Sequence, residues 1–237
     1  MARLARLVAA GHPHLICQAG HNRQPVFIDQ DDQRAYLDAL REVSRVHGVS
    51  IHAYALLQSA CWLLVTPQEQ DGLGRMMQAL GRRYVTSFNR RHDRTGTLWE
   101  GRYRATVIES EAWFIKAMVF VEGVLSAEAA PHHDEGVVIA RSSAPHHVGH
   151  APDPVVWDHP DFWSLGNTPF EREAAYNLLL AQGLASDEQR MIEAACRKAW
   201  PLGGAAFLDV LAKTSDRRLV PLKRGRRKRS ESDLSPI

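Results

Sequence analysis

The sequence predicts an α+β fold in which an antiparallel sheet carries helices on one face and is followed by a small helical appendage. Two apolar segments, residues 50–57 and 61–66, adjoin each other as the strands of a hairpin do. Residues 72–92 instead show the 3.6-residue period of a half-buried helix. Hydrophobic residues make up 45% of the 237 residues and charged residues 24%, which is typical of a folded globular chain.

The first half of the chain supplies a strand, a helix and two further strands. Residues 8–18 form the first predicted strand, and the polar residues 20–23 form its exit loop. Residues 31–47 place apolar side chains at helical spacing, with Asp31 or Asp32 as the N-cap, and Gly48 ends that helix. The two strands at 50–57 and 61–66 follow.

Residues 72–92 form the most periodic segment. The residues on its apolar face are Leu73, Met76, Met77, Leu80, Tyr84 and Phe88. A fourth strand at 102–108 and a helix at 111–122 follow, so the order of elements is β-α-β-β-α-β-α. This order is typical of ferredoxin-like sheets, the type also found in RNA-recognition modules.

The composition divides the chain into four parts. Residues 1–128 form the predicted sheet domain, and residues 129–158, rich in Pro, His and Ser, are predicted to be a loop or linker. Residues 159–215 form the helical appendage, with helices expected at 168–184, 186–200 and 204–213. Residues 216–237 form a basic tail, in which 223–229 hold six basic residues and could bind a polyanion.

Hydropathy, the cysteines and the net charge indicate where the protein is located and what it could bind. No segment approaches the roughly 18 apolar residues that a membrane helix needs, so we expect no membrane association. The three cysteines (Cys17, Cys61 and Cys196) are far apart in sequence and are interpreted as free thiols in the cytoplasm. The net charge of +2 does not by itself indicate a class of binding partner. The distribution of charge says more, because arginines are concentrated between residues 75 and 104.

Several segments resemble the single-tyrosine HUH transposases, in the branch called REP-associated tyrosine transposases. The matching segments are GHNRQP at 20–25, HAYALL at 52–57, LLVTP at 63–67, GRRYVTSFNRR at 81–91 and GTLWEGRY at 96–103. Parts of the appendage and the KRGR at 223–226 also match. The resemblance covers nearly the whole chain except residues 128–154, and the matches at 89–91 and 96–103 are the most specific.

The resemblance implies a ferredoxin-like protein, usually dimeric, that binds single-stranded or hairpin DNA. Members of the family cleave and rejoin one strand through a covalent phosphotyrosine. Two histidines one residue apart on a strand hold a divalent metal, Mg²⁺ or Mn²⁺, that polarises the scissile phosphate, and a tyrosine from the following helix attacks it.

All three catalytic positions are substituted in this sequence. Alignment of the motifs places Ala60 and Trp62 at the two histidine positions and Phe120 at the tyrosine position. Alanine has no ligand atom, the indole nitrogen only donates, and phenylalanine has no oxygen. We therefore predict no bound metal, no cofactor and no strand cleavage, in a protein that still binds DNA.

Arginines are the predicted DNA contacts, since they pair with phosphate oxygens. The candidates are Arg23, Arg82, Arg83, Arg90, Arg91, Arg94, Arg102 and Arg104. Trp99 and Tyr103 could stack on unpaired bases, or could pack in the core.

Alternatives stay open. The chain could be an active transposase whose metal ligands and nucleophile come from other residues or from a partner subunit, with Tyr84 and Tyr103 as nucleophiles by residue type. It could also be a decaying gene product without a function of its own. A His-rich tract (His132, His133, His146, His147 and His150) could bind a metal, but its spacing does not recreate the strand-borne pair, so it is interpreted as linker composition.

Overall fold

The computed structural model describes residues 6–128, 140–215 and 217–221 of the chain. Five strands and eight helices lie in these ranges. They are β1 (His14–Ala19), α1 (Gln30–Val46), β2 (Val49–Leu57), β3 (Ala60–Pro67), α2 (Gly72–Arg91), β4 (Arg104–Val107), α3 (Ser110–Glu128), β5 (Arg141–Ser142), α4 (Ala144–His147), α5 (Pro160–Trp163), α6 (Pro169–Gln182), α7 (Ser186–Lys198) and α8 (Ala205–Thr214).

The strands form one antiparallel sheet in the order β4-β1-β3-β2-β5. The first four strands have the order of a ferredoxin-like sheet, so the predicted α+β class is confirmed. The central strand β3 pairs with β1 on one side, where Cys17 lies opposite Trp62, and with β2 on the other, where Ala55 lies opposite Trp62.

Helices α1 and α2 cover one face of the sheet, as predicted. Asp29 caps α1 instead of Asp31 or Asp32, because its carboxylate accepts hydrogen bonds from the backbone N–H groups of those two residues at 2.9 and 3.0 Å. The predicted apolar face of α2 is buried and packs with Tyr54 and Leu63 of the sheet.

Helix α3 differs from the prediction, because it covers the opposite face of the sheet. Phe114 and Met118 pack there against Leu15, Ala53 and Leu64. The reason lies in β2, where every residue except Ser50 is buried. A strand that is apolar on both sides needs a cover on both sides.

The appended helices join this second core. Tyr176 of α6 and Ile192 and Cys196 of α7 are fully buried in the same cluster as α3. Helix α3 is therefore enclosed between the sheet and the appendage, which explains why its sequence is apolar on nearly all sides. Thr168 begins α6 with a capping box to Glu171, close to the predicted start.

Residues 140–158, predicted to belong to a loop or linker, pack against the sheet domain. Strand β5 extends the sheet by pairing with β2. The hydroxyl of Tyr54 donates a 2.5 Å hydrogen bond to Asp153, and His147 of α4 is buried. The Pro, His and Ser content that suggests a linker here serves turns and side-chain hydrogen bonds instead.

Among the described residues, no helix is both long enough and apolar enough to cross a membrane. The basic residues 223–229 and the histidines at 132 and 133 lie outside the described ranges.

Candidate nucleic-acid interface

The three positions that the resemblance assigns to metal binding and nucleophilic attack come together in space. Ala60 and Trp62 alternate with buried Cys61 on β3, so both side chains project from the sheet face that α3 covers. Phe120 of α3 meets Trp62 there, with ring centroids 5.1 Å apart and the rings nearly perpendicular. Two motifs nearly 60 residues apart in sequence thus form one site.

A cleft of about 750 Å³ opens at this site. Its floor is formed by Cys17, Ala60 and Trp62, and α3 forms one wall with Phe120 and Gly123. The second wall is the end of α6 and the start of α7, including Leu180, Gly183, Leu184, Gln189 and Glu193. The appended helices therefore border the catalytic positions directly.

The residues at the two predicted histidine positions have no atom that binds a divalent metal. Ala60 offers no ligand atom and the Trp62 nitrogen only donates, so these residues do not fit Mg²⁺ or Mn²⁺. Cys17 lines the cleft and carries a thiol, a group that can act as a nucleophile. Burial raises the pKa of this thiol to about 12, which keeps it protonated at neutral pH.

None of the described residues that line the cleft is a tyrosine. Four of the five are buried: Tyr36, Tyr54, Tyr84 and Tyr176. Tyr84 is a residue of α2 and lies in the core on the opposite face of the sheet. Its hydroxyl donates to the carbonyl of Val26. Tyr103 is half-buried beneath the guanidinium of Arg6, 3.8 Å from the ring centroid. Burial raises the pKa of both Tyr84 and Tyr103, so neither is an activated phenolate.

The loops at the end of β1 form a connected network beside the cleft. Gly20 donates its N–H to Ser59 in the β2–β3 turn at 2.7 Å, and His21 donates to Leu98 at 2.9 Å. The Asn89 amide donates to the carbonyl of Gly96 at 3.0 Å. The segment 20–25 and the two segments with the most specific matches, 89–91 and 96–103, therefore meet at one end of the sheet.

This loop network holds its backbone in unusual conformations. Asn22 and Arg23 are consecutive residues with φ angles of 52° and 58°, and Asp93 has a φ of 48°. Non-glycine residues in the left-handed region are uncommon and occur preferentially at functional sites. The exposed side chain of Arg23 therefore projects from a turn whose backbone is in the left-handed region.

The candidate arginines fall into two groups by their partners. Four of them are exposed and make no side-chain hydrogen bond or ion pair with the described residues: Arg23, Arg82, Arg90 and Arg102. The others are engaged. Arg94 donates to Gln24 at 3.0 Å, Arg104 donates to the carbonyl of Arg197 at 3.1 Å, and Arg83 donates to Glu42 at 2.7 Å.

Arg91 is held by acidic residues, which no motif of the sequence indicates. It lies 2.6 Å from a carboxylate oxygen of Asp29 and 2.6 Å from one of Asp32, and it also contacts Asp31. Asp32 is almost fully buried and accepts from the backbone of Ile28. Arg91 thus ties the end of α2 to the start of α1, and three carboxylates compensate its charge.

Replacing Arg91 with Ala is expected to lower Tm by about 2–4 °C at neutral pH. The Arg91 side chain lowers the pKa of Asp29 from 3.8 to about 2. A lowered carboxyl pKa stabilises the folded state above the unfolded pKa, and that contribution is lost as pH falls through the folded pKa. The difference in Tm between wild type and Arg91→Ala should therefore shrink between about pH 4 and pH 2. A difference that stays constant over this range would contradict the ion-pair account.

The two aromatic candidates for base stacking are not free. Trp99 is buried between Tyr36 and Tyr84, and its indole nitrogen is buried without a hydrogen-bond partner among the described residues. Tyr103 is covered by Arg6. Stacking groups are instead offered by the cleft, where Trp62 is half-buried.

Helix α7 contributes residues to the site that sequence reasoning misses. Arg197 and Glu193 line a pocket of about 280 Å³ together with Arg104 and Trp62. No sequence motif indicates that α7 lies beside the sheet, because its residues are about 130 positions from those of β3 in the sequence.

No protein-family model and no curated protein sequence matches the chain. Seven chains of solved structures match it. One is a REP-associated tyrosine transposase bound to a REP hairpin, with 15% identity and a TM-score of 0.47, over 67% of this chain and 92% of that one. Another is a candidate transposase from Deinococcus radiodurans, with 24% identity and a TM-score of 0.34, over 55% of this chain and all of that one.

Both of these matched chains are described as transposases, the class that the motifs of this sequence resemble.

Proposed function

We propose that this chain is a DNA-binding protein of the single-tyrosine transposase type that does not cleave DNA strands. One observation carries the proposal: the positions for metal and nucleophile converge in one cleft, yet they hold Ala60, Trp62 and Phe120. Trp62 and Phe120 pack edge to face, an arrangement that stabilises an apolar surface. The site is thus built for packing or stacking and not for phosphoryl transfer.

The DNA ligand is inferred from charge and position. Exposed Arg23, Arg90 and Arg102 lie on or beside the loop network, and Arg94 joins it through Gln24. Guanidinium groups bind phosphate oxygens well, and they need no base sequence to do so. Arg82 and Arg83 extend the proposed surface along α2, and Arg104 extends it toward the cleft. Together with the motif resemblance, this favours single-stranded or hairpin DNA as the ligand.

A binding titration tests this proposal. The full-length protein should bind a fluorescent DNA hairpin equally well with and without added magnesium, and the affinity should fall steeply with salt concentration. Preference for the hairpin over a neutral polymer of similar size supports the proposal. Binding that is insensitive to salt, or no binding to DNA at all, would overturn it.

Replacing Arg23 and Arg94 together with Ala is expected to weaken hairpin binding about 10-fold or more at about 50 mM salt. The slope of log K against log salt should fall by roughly 1.4–1.8, because each phosphate contact contributes about 0.7 in single strands and 0.9 in duplex. Fluorescence anisotropy at several salt concentrations measures both quantities.

A charge-matched control separates a local contact from a general field effect. Arg45 and Arg75 lie at the other end of the α1–α2 pair, and Arg75 is paired with Glu69 and Asp71. The Arg45→Ala, Arg75→Ala variant loses the same charge. If it weakens binding as much as the Arg23→Ala, Arg94→Ala variant does, the loop network is not the interface.

A second candidate function is strand cleavage with groups supplied by a partner subunit. It is favoured by the size of the cleft, which leaves room beside Trp62 for residues from another chain. A covalent protein–DNA adduct formed with hairpin DNA and magnesium or manganese would establish this function. Its absence under conditions in which the hairpin binds would support the non-cleaving proposal.

A further inference from the structure

A buried carboxylate organises the segment that follows α3. The side chain of Glu122 is completely buried and accepts hydrogen bonds from Tyr176 at 2.6 Å and from His147 Nδ1 at 2.7 Å, and also from Ser143. A carboxylate in these surroundings orients its donors and fixes the ring of His147. The ring is itself 1% exposed, and it contacts Phe162 and Tyr176 edge-on.

This contact determines which nitrogen of His147 is free. An ionised carboxylate only accepts, so Nδ1 of His147 carries the proton that it donates to Glu122. In the neutral ring, Nε2 then has a lone pair, and it makes no hydrogen bond within the described part of the chain. It faces Oδ1 of Asp158 at 3.9 Å. A lone pair and a carboxylate oxygen that face each other favour a cation between them.

His146 completes a set of three donors. Its Nε2 lies 3.3 Å from the same Oδ1 of Asp158, and the three donor atoms all lie within 4.8 Å of one another. A tetrahedral zinc ion with bonds of about 2.0–2.1 Å has ligand atoms roughly 3.3–3.4 Å apart. The largest separation in the set therefore has to shorten by up to about 1.5 Å for the three atoms to surround such an ion.

We propose that His146, His147 and Asp158 form a zinc-type divalent metal site, with Glu122 as the carboxylate that orients His147. Metal-ligating histidines usually donate their other ring N–H to a carboxylate or carbonyl, which is the arrangement of Glu122 and His147. Two imidazoles and one carboxylate suit Zn²⁺, whereas Mg²⁺ prefers oxygen ligands throughout. Exposure of 22% for His146 and 31% for Asp158 gives the ion access from solvent.

The site is only partly preorganised. The backbone N–H of Asp153 donates to Nδ1 of His146 at 3.0 Å, so the neutral ring carries its proton on Nε2 and donates it to Asp158. Metal binding at Nε2 moves that proton to Nδ1, and the Asp153 amide must then turn away. The ion would clamp α4 to the residues that precede α5, and through Glu122 it would hold both to α3. This function is independent of DNA binding.

Isothermal titration of the metal-stripped full-length protein with zinc chloride tests the proposal. We expect one ion per chain with a micromolar or tighter Kd, no uptake of Mg²⁺, and a rise in Tm of several degrees in excess zinc. Asp158→Asn and His146→Ala should each weaken binding at least 10-fold. Both residues are partly exposed, so these variants keep the buried Glu122 contacts. Bound Co²⁺ should give the visible absorption of a tetrahedral site, which Asp158→Asn removes.

Two control variants locate the ion. His150 is exposed in the same tract, and His132 and His133 lie outside the described residues. Zinc affinity should be unchanged in His150→Ala and in the His132→Ala, His133→Ala variant. If either control abolishes binding while Asp158→Asn leaves it intact, or if the wild type takes up no zinc, the proposal is wrong.

Discussion

Purified protein is expected not to nick hairpin DNA in magnesium or manganese, and neither Phe120→Tyr alone nor Ala60→His with Trp62→His should restore nicking. Phosphoryl transfer needs the nucleophile and the charge-neutralising metal together, so the two parts act as a unit. Phe120→Tyr supplies an oxygen but no metal ligand. The histidine pair supplies ligands but nothing that attacks.

The triple variant Ala60→His, Trp62→His, Phe120→Tyr should show a weak, metal-dependent nick. The three side chains already lie at one cleft, so the new histidines and the new tyrosine would be close together. A gel assay with end-labelled hairpin measures the product, and a covalent adduct that forms only in the triple variant identifies the tyrosine as the nucleophile.

The triple variant has a cost in stability that needs its own measurement. Trp62 packs on Phe120, and truncating a buried Trp to Ala costs about 3–5 kcal/mol. Histidine is larger than alanine and Trp62 is only half-buried, so we expect a smaller loss. A urea titration of each variant shows whether a missing nick reflects an unfolded protein or an incomplete site.

The opposite result would also be informative. Cleavage by the wild type that disappears when one of its own tyrosines is changed would contradict the proposed non-cleaving function. Tyr103 is the tyrosine to test first, since it is the most accessible of the five. Tyr103→Phe keeps the ring under Arg6 and removes only the hydroxyl.

Replacing Glu122 with Ala is expected to lower the free energy of unfolding by about 3–5 kcal/mol. The variant leaves His147 Nδ1 and the Tyr176 hydroxyl without their acceptor, and Ser143 keeps only its 3.4 Å contact with the carbonyl of Tyr54. An unsatisfied buried polar group costs about 1–3 kcal/mol, and the truncated side chain also leaves a void. The urea midpoint measured at neutral pH in zinc-free buffer reports the change.

Glu111→Ala is the matched control, because Glu111 lies on the same helix but is exposed in its first turn. It should lose no more than about 1 kcal/mol, the usual contribution of a carboxylate to the helix dipole. Glu122→Gln should fall between the two, since the amide keeps one acceptor oxygen. Equal losses in Glu122→Ala and Glu111→Ala would show that the buried network does not stabilise the fold.

Local patterning predicts the main helices and strands of the sheet domain. The predicted helix at 72–92 is α2 (Gly72–Arg91), and the predicted strand at 50–57 is β2 (Val49–Leu57). In these segments the spacing of apolar residues and the residues that end each element indicate the same conformation, so no distant contact is needed to select it. The assignment of Ala60, Trp62 and Phe120 to the family's catalytic positions stays a prediction; the structure adds that these three residues lie at one cleft.

Tertiary structure decides what depends on residues far apart in the chain. Sequence alone cannot tell that Arg91 meets Asp29 and Asp32, about 60 residues away, so an arginine that the motif assigns to DNA is held in an internal ion pair. It also cannot tell that His147 meets Glu122, because composition describes residues 140–158 as a linker. The spacing of apolar residues indicates which side of a helix or strand is buried, but it does not indicate which other element packs on that side. Only the folded chain, which must bury both faces of the sheet, places α3 and the appendage beside the catalytic positions.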